Sequence, residues 1–490
     1  MGRRIPTPQG RDTRDHPVDP GPGPGTCGRS QTTPGSNLSI GPILAQTIGH
    51  FLPKLNDWID EIEDPRFLPF VTYSKRFMVW WGLMLFLPKL SSRRQLDFQL
   101  SAEGTEVLAN LNRLADAEQT SRPVNKTLEH FLGGIGDQSL RVLRKKVIHR
   151  LIRMKALDES RLQGRFVIVV DGSGYLVFKH QHCEHCLRRR HGEKTLYMHQ
   201  VLEAKVLGPA QTVLSIGTEF IDNRDVANTP AGSSEESVKQ DCELKAMRRL
   251  ASTLRSDFPQ LRMCLSGDGL YACGEGFQIA KDYHCDYIFT FKPGRLPALW
   301  QEFQSLLAVG TNPSVVVTTP DKTRCVYQWV HLPYTDSDKR NWSFTGIYYR
   351  EYRTSGEKRE WAWVTSLEVR QATVVDVATN GGRERWRIEN EGFNTQKNSG
   401  MNLEHAYSHK NWAAYYLLLQ VAHVLLQLVE KGSLLRQLAR QLGQSTVAKL
   451  FGSLKNMASR LLDSLRFLRW PDDVFDGELA RKIQIRFDSS

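Results

Sequence analysis

The chain has 490 residues, with 65 Lys and Arg against 53 Asp and Glu and a net charge of +12. That length supports several domains and at least one full core, and the basic excess suits either a solvated surface or a polyanionic partner. Its eight cysteines are scattered apart from one Cys-x-x-Cys pair, which argues against a disulfide-built scaffold and suits a reducing, cytoplasmic setting.

Residues 1–37 hold seven Pro and seven Gly among few apolar residues, so they read as a disordered tail without an apolar leader core. Residues 38–160 read as helical. Within them, Phe77 to Leu87 is apolar but too short to span a bilayer. The clearest helix runs from about Asp137 to Met154, with Leu140, Leu143, Val147 and Leu151 on one stripe. Arg141, Lys145, Arg150 and Arg153 fall largely off that stripe. The helix is therefore either docked on a core or a DNA-contacting element, with Arg93-Arg94 as a further basic patch.

From residue 165 the pattern changes to strands at Phe166–Val170, Leu196–Leu207 and Val213–Phe220. A helix follows over Glu235–Leu254, then a strand at Arg262–Ser266, a helix over Ala272–Asp282 and a strand at Tyr287–Phe291. The first three strands can form an antiparallel meander, and the later pair, joined through a helix, would be parallel neighbours. Ser314–Thr319, Arg324–His331, Trp342–Tyr349 and Trp361–Ser366 form a strand-rich segment rich in Val, Thr, Tyr and Trp. Helices return from about Gly381 to about Leu468. Trp412 to Val429 reads as a buried helix, because Gln420, His423 and Gln427 interrupt its apolar run.

Three acids stand out against this background. Asp171 closes the apolar run Arg165–Val170 and is followed by Gly172-Ser-Gly174; Asp268 follows Met263–Gly267 and precedes Gly269. A single Asp-Gly is usually a turn, but two that end strands of one sheet point into a ligand crevice, with glycines that admit a phosphate closely. Glu389 lies in Arg385-Trp-Arg-Ile-Glu389. On a regular helix Arg385, Glu389, Gln396 and Lys397 share a face, whereas Glu391 lies roughly 200° round. Two aspartates and a helical glutamate can hold two divalent ions against a phosphodiester.

Val-Val-Asp171-Gly-Ser-Gly, Ser-Gly-Asp268-Gly-Leu-Tyr and Arg385-Trp-Arg-Ile-Glu389 resemble the three acidic motifs of DDE transposases of bacterial insertion sequences. The likeness is nearest to the insertion-sequence-four family, with its Tyr-x2-Arg-x3-Glu-x6-Lys signature. Arg385-x3-Glu389 fits that signature; the tyrosine position holds Gly382, and the lysine position holds Gln396 with Lys397 next to it. The resemblance spans roughly residues 160–430. It implies an α/β fold: an RNase H-like catalytic core over 161–306 and 375–430 and a β-strand insertion over 307–374. A helical, DNA-binding region at 38–160 and a helical C-terminal region at 431–490 would flank them.

The same resemblance implies cut-and-paste transposition. Asp171, Asp268 and Glu389 would hold two Mg²⁺, with Mn²⁺ able to substitute, and the partners would be double-stranded transposon ends and target DNA. It also implies a homodimer in the paired-end complex and no membrane. Arg385, Gln396 and Lys397 would contact DNA, and Arg188, Arg189 and Arg190 would bring positive charge to the mouth of the site. A nuclease that cuts without joining, or an inactive DNA-binding derivative, are the alternatives. His182-Cys183-Glu-His185-Cys186 is a separate candidate for Zn²⁺, with Cys183 and Cys186 as ligands and His182, His185, His191 or His199 able to complete the set; a loop with two reduced thiols is the plainer reading.

Overall fold

The structure, a computed structural model, describes residues 39–192, 194–223, 242–476 and 484–487. The tail at 1–37 and the start of the helix expected from Glu235 lie outside these residues. Eleven strands form one mixed sheet. They are β1 (Arg161–Leu162), β2 (Arg165–Phe178), β3 (Leu187–His191), β4 (Lys194–Leu207), β5 (Val213–Ile221), β6 (Met263–Gly267), β7 (Asp286–Thr290), β8 (Ser314–Thr318), β9 (Arg324–Thr335), β10 (Asn341–Tyr352) and β11 (Lys358–Thr365).

The expected topology is present at the centre. β2, β4 and β5 form an antiparallel meander, and β2, β6 and β7 run parallel. Parallel neighbours need a crossover. The helix Glu243–Asp257 lies between β5 and β6, and Gly274–Asp282 joins β6 to β7. Phe166–Val170 are all buried, as a strand covered on both faces requires.

Three features differ from the sequence reading. β2 does not stop at Asp171: pairing with β4 carries it on to Phe178, with an irregularity between Gly174 and Leu176. The strand-rich segment is not set apart, because β11 pairs antiparallel with β7 and continues the same sheet through β10, β9 and β8. The Arg-rich stretch expected as a loop contains β3, which shares the outer edge of β4 with β5.

The helical regions before and after the sheet pack together instead of flanking it separately. The Asn110 amide donates to the carbonyls of Leu465 (3.0 Å) and Leu468 (2.7 Å), and Glu106 N–H donates to Arg466 O at 2.8 Å. Trp412–Lys431 is the one helix among the described residues long and apolar enough to cross a membrane. Its apolar window is 89% buried, which makes it a core helix here. It packs against the long helix Asn125–Arg153, which is interrupted at Gly136 (φ 69°).

Several basic residues of that long helix are paired within the fold, while Arg153 is exposed. Lys145 pairs with Asp257 at 2.7 Å, Arg150 donates to Phe51 O at 3.2 Å, and the Arg141 guanidinium lies 5.2 Å from the Phe220 ring centre. Arg144 is buried and donates to the hydroxyls of Ser215 (3.0 Å) and Thr218. Beside it, fully buried Glu203 accepts from Ser215, from Thr218 (2.7 Å) and from Tyr416 (3.0 Å), with Lys205 Nζ 3.8 Å away. Burial pushes Lys205 down to about 8 against the pull of Glu203.

Candidate acidic metal site

The parallel pairing of β2 with β6 sets Val169 beside Ser266, so two residues on, Asp171 and Asp268 come abreast at the C-terminal end of β6. Glu389 arrives from a helical stretch that crosses this end. Its Oε1 forms an ion pair with Arg385 Nη1 at 2.6 Å, and the same nitrogen lies 3.7 Å from Asp171 Oδ2. One guanidinium thus joins the first and third acids, while Asp268 orders its own turn by accepting from Leu270 N–H at 2.8 Å.

Electrostatics tie the acids together. Burial pushes Asp171 up to about 7; Arg385 opposes the shift, and the negative charges of Glu389, Asp268 and Glu243 add to it. Glu243 is therefore a fourth acid of the site. It opens the helix Glu243–Asp257, and burial followed by the charge of Asp268 raises its pKa. The Tyr271 hydroxyl donates to its Oε2 at 3.4 Å. Sequence reasoning placed this residue inside a longer helix, where an acid carries no signal; a helix that starts at Glu243 turns it into the sheet.

Gly172 is what admits Glu243. A Cβ at Gly172 would stand 2.5 Å from Glu243 Oε1. Gly172→Ala is expected to displace that carboxylate, lower metal-dependent turnover roughly 10-fold to 100-fold and leave the far-ultraviolet circular dichroism unchanged. Parallel turnover and circular-dichroism measurements on the two proteins check this.

The helical stretch that carries Glu389 is not regular. Val377–Gly382 and Ile388–Asn394 are π-helical, with a 3₁₀ turn at Arg383–Arg385 between them. A π turn takes in an extra residue, so positions beyond Glu389 rotate away from the face that an α-helix would give them. Gln396 is accordingly not a DNA-contacting residue in this structure. It is buried, and its amide donates to Gln420 Oε1 at 2.8 Å, an oxygen that also accepts from Lys205 Nζ at 2.8 Å. Lys397 pairs with Glu404 at 2.7 Å, and Arg385 is engaged with the acids.

The departure at Gly382 also has a cause, since a Cβ there would run into the Trp363 indole. Glu391 lines a separate cavity with His423 and Gln427, and Arg387 is buried against the carbonyls of Gly208 (3.3 Å) and Thr212 (2.9 Å). Glu389, 49% exposed, is thus the acid that faces the site.

Arg188, Arg189 and Arg190 are exposed on β3. Arg188 pairs with Tyr197, which also pairs with Phe178 at the C-terminal end of β2. Lys292, exposed after β7, lays its stem 3.7 Å from the Cβ position of Gly269 and adds a cation near Asp268. Away from the acids, His182, Cys183, Cys186 and His199 present ligand atoms within 4.8 Å of one another, a group that could hold a metal ion.

No protein-family model matches the chain, and no curated protein matches it either.

Proposed function

We propose that this chain is a DDE transposase: an enzyme with an RNase H-like core that cleaves DNA at transposon ends and joins the freed 3′-hydroxyls to target DNA. The observation that carries this reading is the meeting of Asp171, Asp268 and Glu389 at one end of the sheet, with the Arg385 guanidinium between the first and the third. The order β5-β4-β2-β6-β7, with the last three strands parallel, supports an RNase H-like core.

The residues fit Mg²⁺. Hard carboxylate oxygens suit that ion, and burial, with the charges of Glu389, Asp268 and Glu243 adding to it against Arg385, raises Asp171 to about 7, so a cation would be welcome there. Asp171, placed between the other two, would be shared by two ions, with Asp268 and Glu389 holding one each; Mn²⁺ would substitute. Bound there, the ions supply a nucleophilic hydroxide and charge stabilisation at the leaving oxygen. The His/Cys cluster is a separate centre, and its metal is Zn²⁺ on the argument given below.

The chain's own residues then orient the substrate. With the carboxylates neutralised, Arg385 is released to a non-bridging phosphate oxygen, and Lys292 and Arg188–Arg190 hold flanking phosphates. Attack by water forms a new P–O bond and breaks the bond to the 3′ oxygen, which leaves as a hydroxyl. That hydroxyl attacks a target phosphodiester, forms one P–O bond and breaks another, so the joining step needs no energy source. Two DNA ends joined in concert imply a homodimer, acting in the cytoplasm on nucleoid DNA.

The test is incubation of the protein with Mg²⁺, a linear DNA carrying the inverted repeats that flank its gene, and a supercoiled target. Joined end–target products are expected. Cleavage without joining would leave a nuclease, and neither product would leave a DNA-binding derivative; each outcome overturns the transposase reading.

A further inference from the structure

We propose that His182, Cys183, Cys186 and His199 form a structural zinc centre that fixes the arginine-bearing strand β3. The role of β3 at DNA rests on the function proposed above; the zinc centre itself does not.

Three of the distances match one face of a tetrahedral zinc site. Cys183 Sγ lies 3.7 Å from Cys186 Sγ, and His199 Nε2 lies 3.4 Å from the first sulfur and 3.5 Å from the second. With Zn–S near 2.3 Å and Zn–N near 2.0–2.1 Å, the edges of a tetrahedral zinc site are about 3.8 Å for S···S and about 3.6 Å for S···N. A disulfide would need sulfurs about 2.05 Å apart, and a hydrogen-bonded thiol pair has no reason to place an imidazole nitrogen at equal reach of both.

The fourth corner belongs to His182. Its ligand atom lies within 4.8 Å of the other three, whereas His185 is not in that group; the Nδ1 atoms of both rings are buried without a hydrogen-bond partner. His185, which spacing alone offered equally well, turns to Glu184 at 3.4 Å.

The surroundings are those of a closed site. His182 stacks on Phe178 with ring centres 4.6 Å apart, and His199 lies 4.5 Å from Trp412. The main-chain N–H groups of His185 and Cys186 are directed at the Cys183 sulfur, the turn geometry that suits a metal-bound thiolate, and Cys183 N–H donates to Cys186 Sγ at 3.4 Å. Two thiolates and two imidazoles select Zn²⁺ over Mg²⁺.

The centre ties the link between β2 and β3 to β4. Cys183 and Cys186 lie in the link between β2 and β3, and Cys186 immediately precedes β3. His199 is on β4, opposite Leu176 of β2. β3 pairs only with β4 and carries Arg188–Arg190, so a zinc ion between Cys186 and His199 fixes the start of that strand.

Full-length protein, purified under reducing conditions and dialysed, is expected to carry one zinc ion per chain by elemental analysis. Exchange for Co²⁺ is expected to give the intense visible bands of a tetrahedral ion together with thiolate-to-metal absorption. Cys183→Ser/Cys186→Ser should lose both signals. His182→Ala, which keeps three ligands, should retain cobalt with a weakened spectrum.

Removal of zinc by chelator should speed tryptic cleavage within Leu187–His191 by about tenfold, as local opening exposes the arginines. The zinc centre is overturned if the native chain carries no zinc, forms a Cys183–Cys186 disulfide under these conditions, or gives an octahedral cobalt spectrum. It is also overturned if the double Cys variant keeps its zinc, and unchanged proteolysis overturns the role given to β3. None of these measurements depends on DNA cleavage, so a failed transposition assay leaves them intact.

Discussion

Asp171→Asn is expected to abolish Mg²⁺-dependent DNA cleavage, by at least about a thousandfold or roughly 4 kcal/mol of barrier, and at the same time to stabilise the metal-free protein at pH 8. The two effects have one origin. In the folded chain burial and three neighbouring acids raise Asp171 from 3.8 to about 7. An acid whose folded pKa lies above its unfolded value stabilises the fold fully below pH 4 and loses that contribution as pH rises to 7. Asparagine carries no such penalty.

The variant should therefore match the native chain near pH 4, pull ahead between pH 4 and 7, and keep an advantage of about 4 kcal/mol above pH 7. Thermal denaturation in EDTA across that range reads the difference. Added Mg²⁺ should reverse the order, because only the native chain gains binding free energy. A variant less stable than the native chain at pH 8 in EDTA would show that Asp171 is held by its partners and is not awaiting a cation.

Glu203→Gln is expected to be the most destabilising single change away from the site, at about 3–5 kcal/mol. With its oxygen in the place of Oε2 the amide can still accept from Thr218 and Tyr416, and only the bond from Ser215 to Oε1 is lost. Arg144 and Lys205, both buried, would lose the carboxylate with which each of them pairs. Ser215→Ala removes one hydrogen bond to the same carboxylate and should cost only about 1 kcal/mol.

Urea denaturation distinguishes these outcomes through the midpoint at constant slope. A loss below about 1 kcal/mol for Glu203→Gln would mean that the two cations are already solvated or neutral. The change should also reach the acidic site. The Lys205 stem lies 3.0 Å from the Cβ position of Gly392, and its Nζ bonds Gln420, so the network props the helical stretch that carries Glu389.

How much could be read without coordinates differs from residue to residue. Asp171 and Asp268 were legible because each follows a run of residues buried on both faces, a pattern that marks central parallel strands. Trp412–Lys431 was legible as a core helix for a similar reason. Glu389 was separable from Glu391 because i,i+4 pairing with Arg385 survives the local distortion. Gln396 was misplaced because a face computed at 3.6 residues per turn fails once π turns intervene. The burial of Arg144 was not legible, because nothing near it in sequence reveals Glu203 across the core.

The sequence by itself determined the strands at the centre, the identity of the three acids and the Cys-x-x-Cys pair, because these follow from local periodicity and residue chemistry. Tertiary structure alone decided that Glu243 joins the acids, that His182 and His199 rather than His185 face the two thiols, and that the later strands extend the main sheet. Each of those outcomes depends on contacts between segments far apart in the chain. Register, burial and the start of a helix settle such contacts, and none of the three is encoded within a short window of residues.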